Sequence, residues 1–206
     1  MSTTPPSPPS SQAGNYDNVA KTLHWIIALA IVLMLALGWI MDDFKGSLKF
    51  SAVQLHKSLG ITILFLSLGR LGWRLTHHFP TLLKTMTLWE RRAASSVHVL
   101  FYILIISMPL TGWVMVSASP LNIPTMLYGY IPWPHLPILP TLENKRAIGH
   151  FFRGIHGYLA YLMAGLIVLH AGAAWKHHLV NRDDVLLRMA PGFMRQALKK
   201  LRGQTP

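Results

Sequence analysis

Five histidines lie inside, or at the edge of, long stretches of apolar residues: His24, His56, His98, His156 and His170. Polar or ligating side chains are costly to place in a membrane, so each of these histidines requires a partner or a function. Imidazole is a good ligand for iron, copper and zinc, and it also forms hydrogen bonds between helices. The set therefore indicates either a metal or cofactor site or a series of interhelical contacts.

Four of these histidines are predicted to form two pairs. His156 and His170 are fourteen positions apart, so on one α-helix they lie within about 40° of the same face and about 21 Å apart along the axis. His24 is expected at the same depth as His170, and His56 at the same depth as His156. The spacing thus predicts two opposed pairs of imidazoles, one at each end of a helical bundle.

Opposed imidazoles suit the two axial positions of a six-coordinate haem, because the porphyrin provides the four equatorial nitrogens. The chain has no cysteine, which excludes thiolate ligation, iron–sulfur clusters and c-type attachment. We therefore predict two non-covalent haems b. Two alternatives remain: hydrogen bonds between helices, and a metal-ion transporter, which would usually add carboxylates that the predicted spans lack.

The composition indicates a membrane protein. Of the 206 residues, 51% are hydrophobic and 13% charged, well below the roughly 25% charged residues of soluble domains. Four apolar blocks are long enough to cross a bilayer, at about residues 21–41, 52–75, 93–118 and 149–175. The predicted fold class is all-α, a four-helix transmembrane bundle. Pro109 lies within the third block and is predicted to kink it.

Three segments flank or interrupt this bundle. Residues 119–148 contain six prolines among Leu, Ile, Tyr and Trp, which excludes a regular helix and predicts a structured lid on the membrane surface; a simple tether is the alternative. Residues 1–15 are rich in Pro, Ser and Thr and are predicted to be a disordered lead. Residues 16–192 are then the four-helix diheme domain, and residues 193–206 a basic cytoplasmic tail.

The net charge of +12 is distributed unevenly. One predicted end of the bundle holds Lys21, Arg74, Lys84, Arg91, Arg92 and the basic residues from Lys176 onwards; the other holds Lys45, Lys49, Lys57, Lys145, Arg146 and Arg153. The positive-inside rule then places both termini in the cytoplasm and the proline-rich loop in the periplasm. Nucleic-acid binding is not indicated, because the charge follows helix ends and no recognised motif accompanies it.

Several sequence motifs resemble those of the bacterial cytochrome b561 family, over residues 16–192. They are "LHW", "LHKSLG", "SVHVLFYILIISMPLTGW" and "GIHGYLAYLMAGLIVLHAGAAWKHHLVNRDDVLLRM". The resemblance implies that His24 and His170 ligate a cytoplasmic haem, and that His56 and His156 ligate a periplasmic one. It also implies ubiquinol or ubiquinone as a substrate, taken from the quinone pool of the bacterial inner membrane.

Other polar residues are predicted to surround the haems. His98 matches a family histidine that is not a ligand, and we expect it to bind a haem propionate or a quinone headgroup, or else a neighbouring helix. Lys57, Arg70, Arg74 and Arg153 are expected to contact propionates or substrate, or else to snorkel to the interface. The flanking residues His77, His78, His177 and His178 are predicted to be solvated or to face propionates.

Axial ligation by two histidines leaves no open iron position, so the predicted chemistry is outer-sphere electron transfer. We expect a quinone-linked oxidoreductase with a second, small one-electron partner in the periplasm, and superoxide is a candidate because Lys57, Lys145, Arg146 and Arg153 would attract an anion. The alternative is a membrane-anchor cytochrome b subunit that carries electrons for a bound dehydrogenase or hydrogenase. A haem-free structural protein would be distinguished by its lack of colour.

Overall fold

The computed structural model describes residues 14–77, 80–81 and 86–203, so most of the predicted lead, together with His78 and Lys84, lies outside the described residues. The predicted all-α, four-helix transmembrane fold is confirmed. The elements are α1 (Asn18–Ile40), α2 (Gly46–Thr76), α3 (Leu88–Ser117), β1 (Thr125–Leu127), β2 (Ile131–Trp133), a 3₁₀ turn (Leu139–Thr141), α4 (Lys145–Leu179), α5 (Val185–Met189) and α6 (Gly192–Leu201).

Two of the long helices begin with side-chain caps. The Asp17 carboxylate accepts a hydrogen bond of 2.8 Å from the backbone N–H of Ala20 at the start of α1. Desolvation acts to raise the pKa of Asp17, but the bonds from Ala20 and from the indole of Trp73 outweigh it and leave the pKa below its usual value. Thr87 and Glu90 form a reciprocal capping box at the start of α3. These caps explain why both helices begin before the apolar blocks do.

The described core lies between α3 and α4. Leu104 and Ile105 of α3 pack against Met163 and Leu166 of α4, and side chains of α1 and of the first half of α3 surround them. The helix α3 is continuous through Pro109; the predicted kink stays a prediction. At one end Gly149 lets the two helices approach closely, since a Cβ there would lie 3.3 Å from the Ala118 carbonyl oxygen.

The outer faces of the four long helices are apolar and exposed. Leu29, Phe65, Val99 and Val168 are each more than half exposed, as expected where lipid rather than water surrounds the bundle. Helix α1 packs on α2, α2 on α3, and α3 on α4. Among the described residues, the backbone of α4 makes few or no close approaches to that of α1 or α2.

The proline-rich segment is folded against the ends of α2 and α3. Its strands β1 and β2 form an antiparallel hairpin, which was not predicted from the sequence. Ser58 of α2 is fully buried, and its hydroxyl accepts the backbone N–H of Tyr128 at 2.9 Å and donates to the Gln54 carbonyl. From α3, the indole of Trp113 donates to the Pro134 carbonyl, and Ser117 accepts from the N–H of Leu136.

The residues after α4 are also packed. Helix α6 begins at Gly192 and covers the first part of the predicted tail, residues 193–206, and its Leu198 is buried against Leu187 and Ala190. The guanidinium of Arg202 donates to the Asp183 carbonyl and to the Asp184 carboxylate. This part of the chain therefore has its own small core at the end of α4.

Ser58→Ala should loosen the hairpin, because it removes the acceptor for the Tyr128 N–H in a buried position. We expect amide exchange in β1 and the following turn to rise by about fivefold, equivalent to about 1 kcal/mol. Hydrogen exchange with peptide-level mass spectrometry measures this. Ser67→Ala is the matched control, since Ser67 is equally buried but its hydroxyl has no hydrogen-bond partner among the described residues. Equal exchange in both variants would contradict the assignment.

Candidate functional site

The four histidines that the sequence pairs are brought together in those pairs. His24 of α1 faces His170 of α4, with ring centroids 6.4 Å apart. His56 of α2 faces His156 of α4, with centroids 6.3 Å apart. One helix, α4, thus contributes one imidazole to each pair. We call the two ends of the bundle the His24 end and the His56 end.

These separations match what two axial ligands of one metal require. A bond from a first-row metal to an imidazole nitrogen is about 2.0 Å long, and that nitrogen lies about 1.2 Å from the ring centre, so two axial imidazoles have centres about 6.4 Å apart. Among the residues that the structure describes, no group of three or more His, Asp or Glu side chains could hold a metal ion by itself. Two opposed imidazoles suit a metal whose remaining ligands come from a macrocycle.

The surroundings of the pairs also fit a planar group. Among the described residues, the backbone of α4 approaches that of α3 closely but makes few or no close approaches to that of α1 or α2, so the paired histidines face each other across the wider side of the bundle. Glycines adjoin both rings of the second pair: a Cβ at Gly38 would lie 3.3 Å from Cε1 of His56, and one at Gly112 would lie 3.3 Å from Cε1 of His156. Larger residues there would press on the imidazoles.

The two imidazoles at the His56 end are held differently. Nδ1 of His156 is 3.0 Å from the hydroxyl of Thr111, a contact that fixes the ring and leaves Nε2 for a ligand. Nδ1 of His56 is buried without a hydrogen-bond partner among the described residues. A Cβ at Gly38 would lie 3.9 Å from this Nδ1, and one at Gly112 would lie 3.6 Å from Nδ1 of His156. In each ring Nδ1 therefore faces the neighbouring glycine, and Nε2 is left for a ligand. The donor set therefore fits haem.

His98 lies beside the pair at the His24 end. Its ring centroid is 5.7 Å from that of His170, which is shorter than the axial spacing, so His24 is the better partner for His170. His98 also lines a cavity of about 170 Å³ with Tyr16, Arg74, Ser95 and Tyr102. The cavity has an apolar wall and several hydrogen-bonding groups, as small-molecule sites do.

The four basic residues singled out in the sequence lie at the two ends. Arg70 donates to the Ala20 carbonyl at 2.8 Å, and Arg74 lies 5.8 Å from the centre of the Tyr102 ring. At the other end, Lys57 donates to the Pro124 carbonyl of the proline-rich segment at 3.2 Å, whereas Arg153 is exposed. Arg74 alone of the four lines the cavity at His98.

The prediction for two of the flanking histidines was wrong. His177 and His178 are buried, not solvated, because α5 and α6 fold back over them. His177 pairs with Asp183 at 2.6 Å, and Nε2 of His178 is 3.0 Å from the Leu198 carbonyl oxygen. His77 is exposed and stacks on Trp73, as a solvated residue can.

Arg188 is a structural residue whose role was not predicted from the sequence. It is buried and donates to the carbonyls of Gly14 and Thr81, and it lies 5.9 Å from the Tyr16 ring. It thereby joins the start of the described chain, the segment between α2 and α3, and α5. Arg188 belongs to the RDDVLLRM stretch that the sequence motifs include. Its carbonyl partners are remote in sequence, so no local pattern predicted these hydrogen bonds.

A four-helix membrane bundle with facing histidine pairs is the architecture of a membrane b-type cytochrome. The comparison with protein families agrees: the family described as prokaryotic cytochrome b561 matches residues 15–192. The chain belongs to this family. It is therefore a haem b protein of membrane electron transfer, an oxidoreductase that crosses the bacterial inner membrane several times.

Curated relatives support the same family. Cytochrome b561 homolog 2 of Escherichia coli strain K12 is 29% identical over 84% of this chain and 90% of its own length. Cytochrome b561 homolog 1 of the same strain is 30% identical over 82% of this chain and 93% of its own length. A protein of Yersinia pestis named probable superoxide oxidase CybB is 26% identical over 85% of this chain and 96% of its own length.

Gly38→Val and Gly112→Val should each disturb haem binding at the His56 end, because the added methyl groups displace an imidazole whose Cε1 is already 3.3 Å from the new Cβ. We expect loss or displacement of one component of the reduced-minus-oxidised absorption spectrum. Gly165→Val in α4 is the control, since a Cβ there meets nothing within 4 Å. A wild-type spectrum in both test variants would argue against ligation by this pair.

Proposed function

We propose that this chain holds two haems b, one between His24 and His170 and one between His56 and His156, and carries electrons between the quinone pool and a one-electron partner in the periplasm. The observation that carries the proposal is the axial spacing of both pairs, 6.4 and 6.3 Å between ring centroids. Haem supplies reversible one-electron transfer there. Two histidines would hold each haem and would leave no iron position open to a small molecule, so outer-sphere transfer is the route that this ligand set permits.

The charge distribution supports an orientation with both termini in the cytoplasm. Arg91, Arg92 and the basic residues of α6 belong to the His24 end, whereas the His56 end carries fewer Lys and Arg residues. By the positive-inside rule, the His24 end faces the cytoplasm and the hairpin faces the periplasm. The haem between His56 and His156 is then the periplasmic one.

The cavity at His98 is our proposed site for ubiquinol or ubiquinone. His98, Ser95 and Arg74 line it, and they provide donors and an acceptor for the oxygens of a quinone head. His98 is also adjacent to His170, at 5.7 Å between ring centroids, so the bound head would lie close to the axial pair of the His24 end. In this position His98 can accept a proton when quinol is oxidised.

Superoxide is the proposed periplasmic partner. The name of the Yersinia pestis relative, probable superoxide oxidase, favours this choice. In this chain Lys57 directly follows His56, and Arg153 lies one turn before His156. Positive charge beside the outer pair would attract a small anion and shorten its search. The Lys57 ammonium also donates to the Pro124 carbonyl, which keeps it at the edge of the hairpin.

A membrane-anchor cytochrome b subunit for a bound dehydrogenase or hydrogenase is the second candidate. The folded hairpin favours the first, because it packs over the ends of α2 and α3 instead of leaving those helices open to a partner. Purification in mild detergent tests this. A stoichiometric dehydrogenase or hydrogenase subunit in the purified complex would favour the anchor.

His156→Ala and His170→Ala should each remove a different haem. The two residues are fourteen positions apart on one helix, so they are about 21 Å apart and cannot serve one iron. We expect two haems per wild-type chain and one in each variant, measured as pyridine haemochrome. His150→Ala, an exposed histidine of the same helix, is the control. If either variant lost both haems while its helical circular dichroism was unchanged, the two sites would not be independent.

His98→Gln and Arg74→Gln should slow reduction of the haem by ubiquinol. Each removes a group that lines the cavity, and loss of one hydrogen bond to the bound head costs about 1.5 kcal/mol, or roughly tenfold in affinity. Stopped-flow spectroscopy at several quinol concentrations measures the rate of haem reduction. We expect each variant to need a higher quinol concentration than wild type to reach the same rate. Reduction by dithionite should not change.

The matched control for this experiment is His77→Gln. His77 belongs to the same end of the bundle and is exposed, stacked on Trp73, and it does not line the cavity. If ubiquinol reduced the haem of His98→Gln and Arg74→Gln as fast as that of His77→Gln, the quinone site would lie elsewhere.

A further inference from the structure

A groove of about 410 Å³ lies between the first turns of α1 and the start of α6. One of its wall residues, Trp25, adjoins His24, with ring centroids 5.4 Å apart. Its walls include Lys21, Trp25 and Ile26 of α1, and Phe193 and Arg195 of α6. We propose that this groove binds one anionic phospholipid, with the phosphate between Lys21 and Arg195 and an acyl chain against Trp25, Ile26 and Phe193.

The α1 wall changes from polar to apolar along its length. Asn18, Lys21, Thr22, Trp25 and Ile26 line the groove, and these positions follow the three- and four-residue spacing of one helix face. The first turn of this face is polar and the next is aromatic and aliphatic. A phospholipid has the same order, from its headgroup to its acyl chains, and α1 enters the membrane in this direction.

The α6 wall is fixed in place rather than loosely attached. Leu198 is buried against Leu187 and Ala190, and the Leu198 carbonyl oxygen is 3.0 Å from Nε2 of His178. The indole of Trp25 donates to the Met189 carbonyl at 2.9 Å, which joins α1 to α5 just before α6. The two walls of the groove are therefore held at a set separation.

Two apolar residues of the groove, Phe193 and Ile26, are exposed. The Phe193 side chain is 85% exposed and Ile26 is 49% exposed. A phenyl ring at that exposure is unfavourable in water but favourable against an acyl chain. The exposed apolar residues therefore favour a lipid, whose acyl chain can cover them, over a free phosphate ion.

The charge of the groove favours an anion. Among the described residues, the Lys21 ammonium has no hydrogen-bond or ion-pair partner, and the Arg195 guanidinium makes a single long contact, 3.4 Å to the Asn15 side chain. The nearest acidic residue along α1, Asp17, is already engaged by Ala20 and Trp73. Basic pockets beside spanning helices are known to bind phosphorylated lipid headgroups.

The test is native mass spectrometry of the haem-loaded full chain, titrated with phosphatidylglycerol or with phosphatidylcholine of the same chains. We expect phosphatidylglycerol to bind more tightly. Lys21→Gln and Arg195→Gln should each weaken it roughly fivefold, as expected for about 1 kcal/mol per cation. Phosphatidylcholine binding should change little in either variant.

Lys200→Gln is the matched control, because Lys200 is an exposed lysine of the same helix that does not line the groove. It should retain wild-type affinity. An equal loss in Lys200→Gln would show diffuse attraction to α6 and overturn the proposal, as would equal affinity for the two lipids. An unchanged haem spectrum in every variant confirms that the bundle is intact, and this readout does not depend on the quinone or superoxide proposals.

Discussion

The structure depends on one constraint: a polar side chain inside a bilayer must find its partner within the protein, because no water is available there. Four imidazoles subject to this constraint face each other in two pairs that share α4. Since His156 and His170 lie on one face of that helix, a single rotation of α4 about its axis orients both. Thr111, which contacts His156, and the glycines beside the rings then refine the position of each imidazole.

Helix α3 makes the paired arrangement possible. It packs closely on both α2 and α4, whereas among the described residues the backbone of α4 makes few or no close approaches to that of α1 or α2. Leu104 and Ile105 fill the α3 side of the core against Met163 and Leu166. The close packing of α3 on α4 thus leaves wider separations of α4 from α1 and α2, and the two histidine pairs face each other across these separations.

The two ends of the bundle are closed by different means. At the His56 end, side chains of α2 and α3 bind the hairpin through its backbone, with Ser58 and Trp113 as the main contacts. At the His24 end, buried Arg188 binds the Gly14 and Thr81 carbonyls, and the segments it holds form part of the wall around the His98 cavity. Both sets of contacts position segments that lie outside the four long helices.

The four spans and the histidine pairing could be predicted from the sequence, because apolar length and helical periodicity are local properties. The absence of cysteine restricted the haem type in the same way. The tertiary structure supplied the ring separations from His170, 6.4 Å for His24 and 5.7 Å for His98, because these distances depend on helix packing. The burial of His178 and the carbonyl partners of Arg188 were likewise decided by chain segments remote in sequence, whose meeting no local pattern encodes.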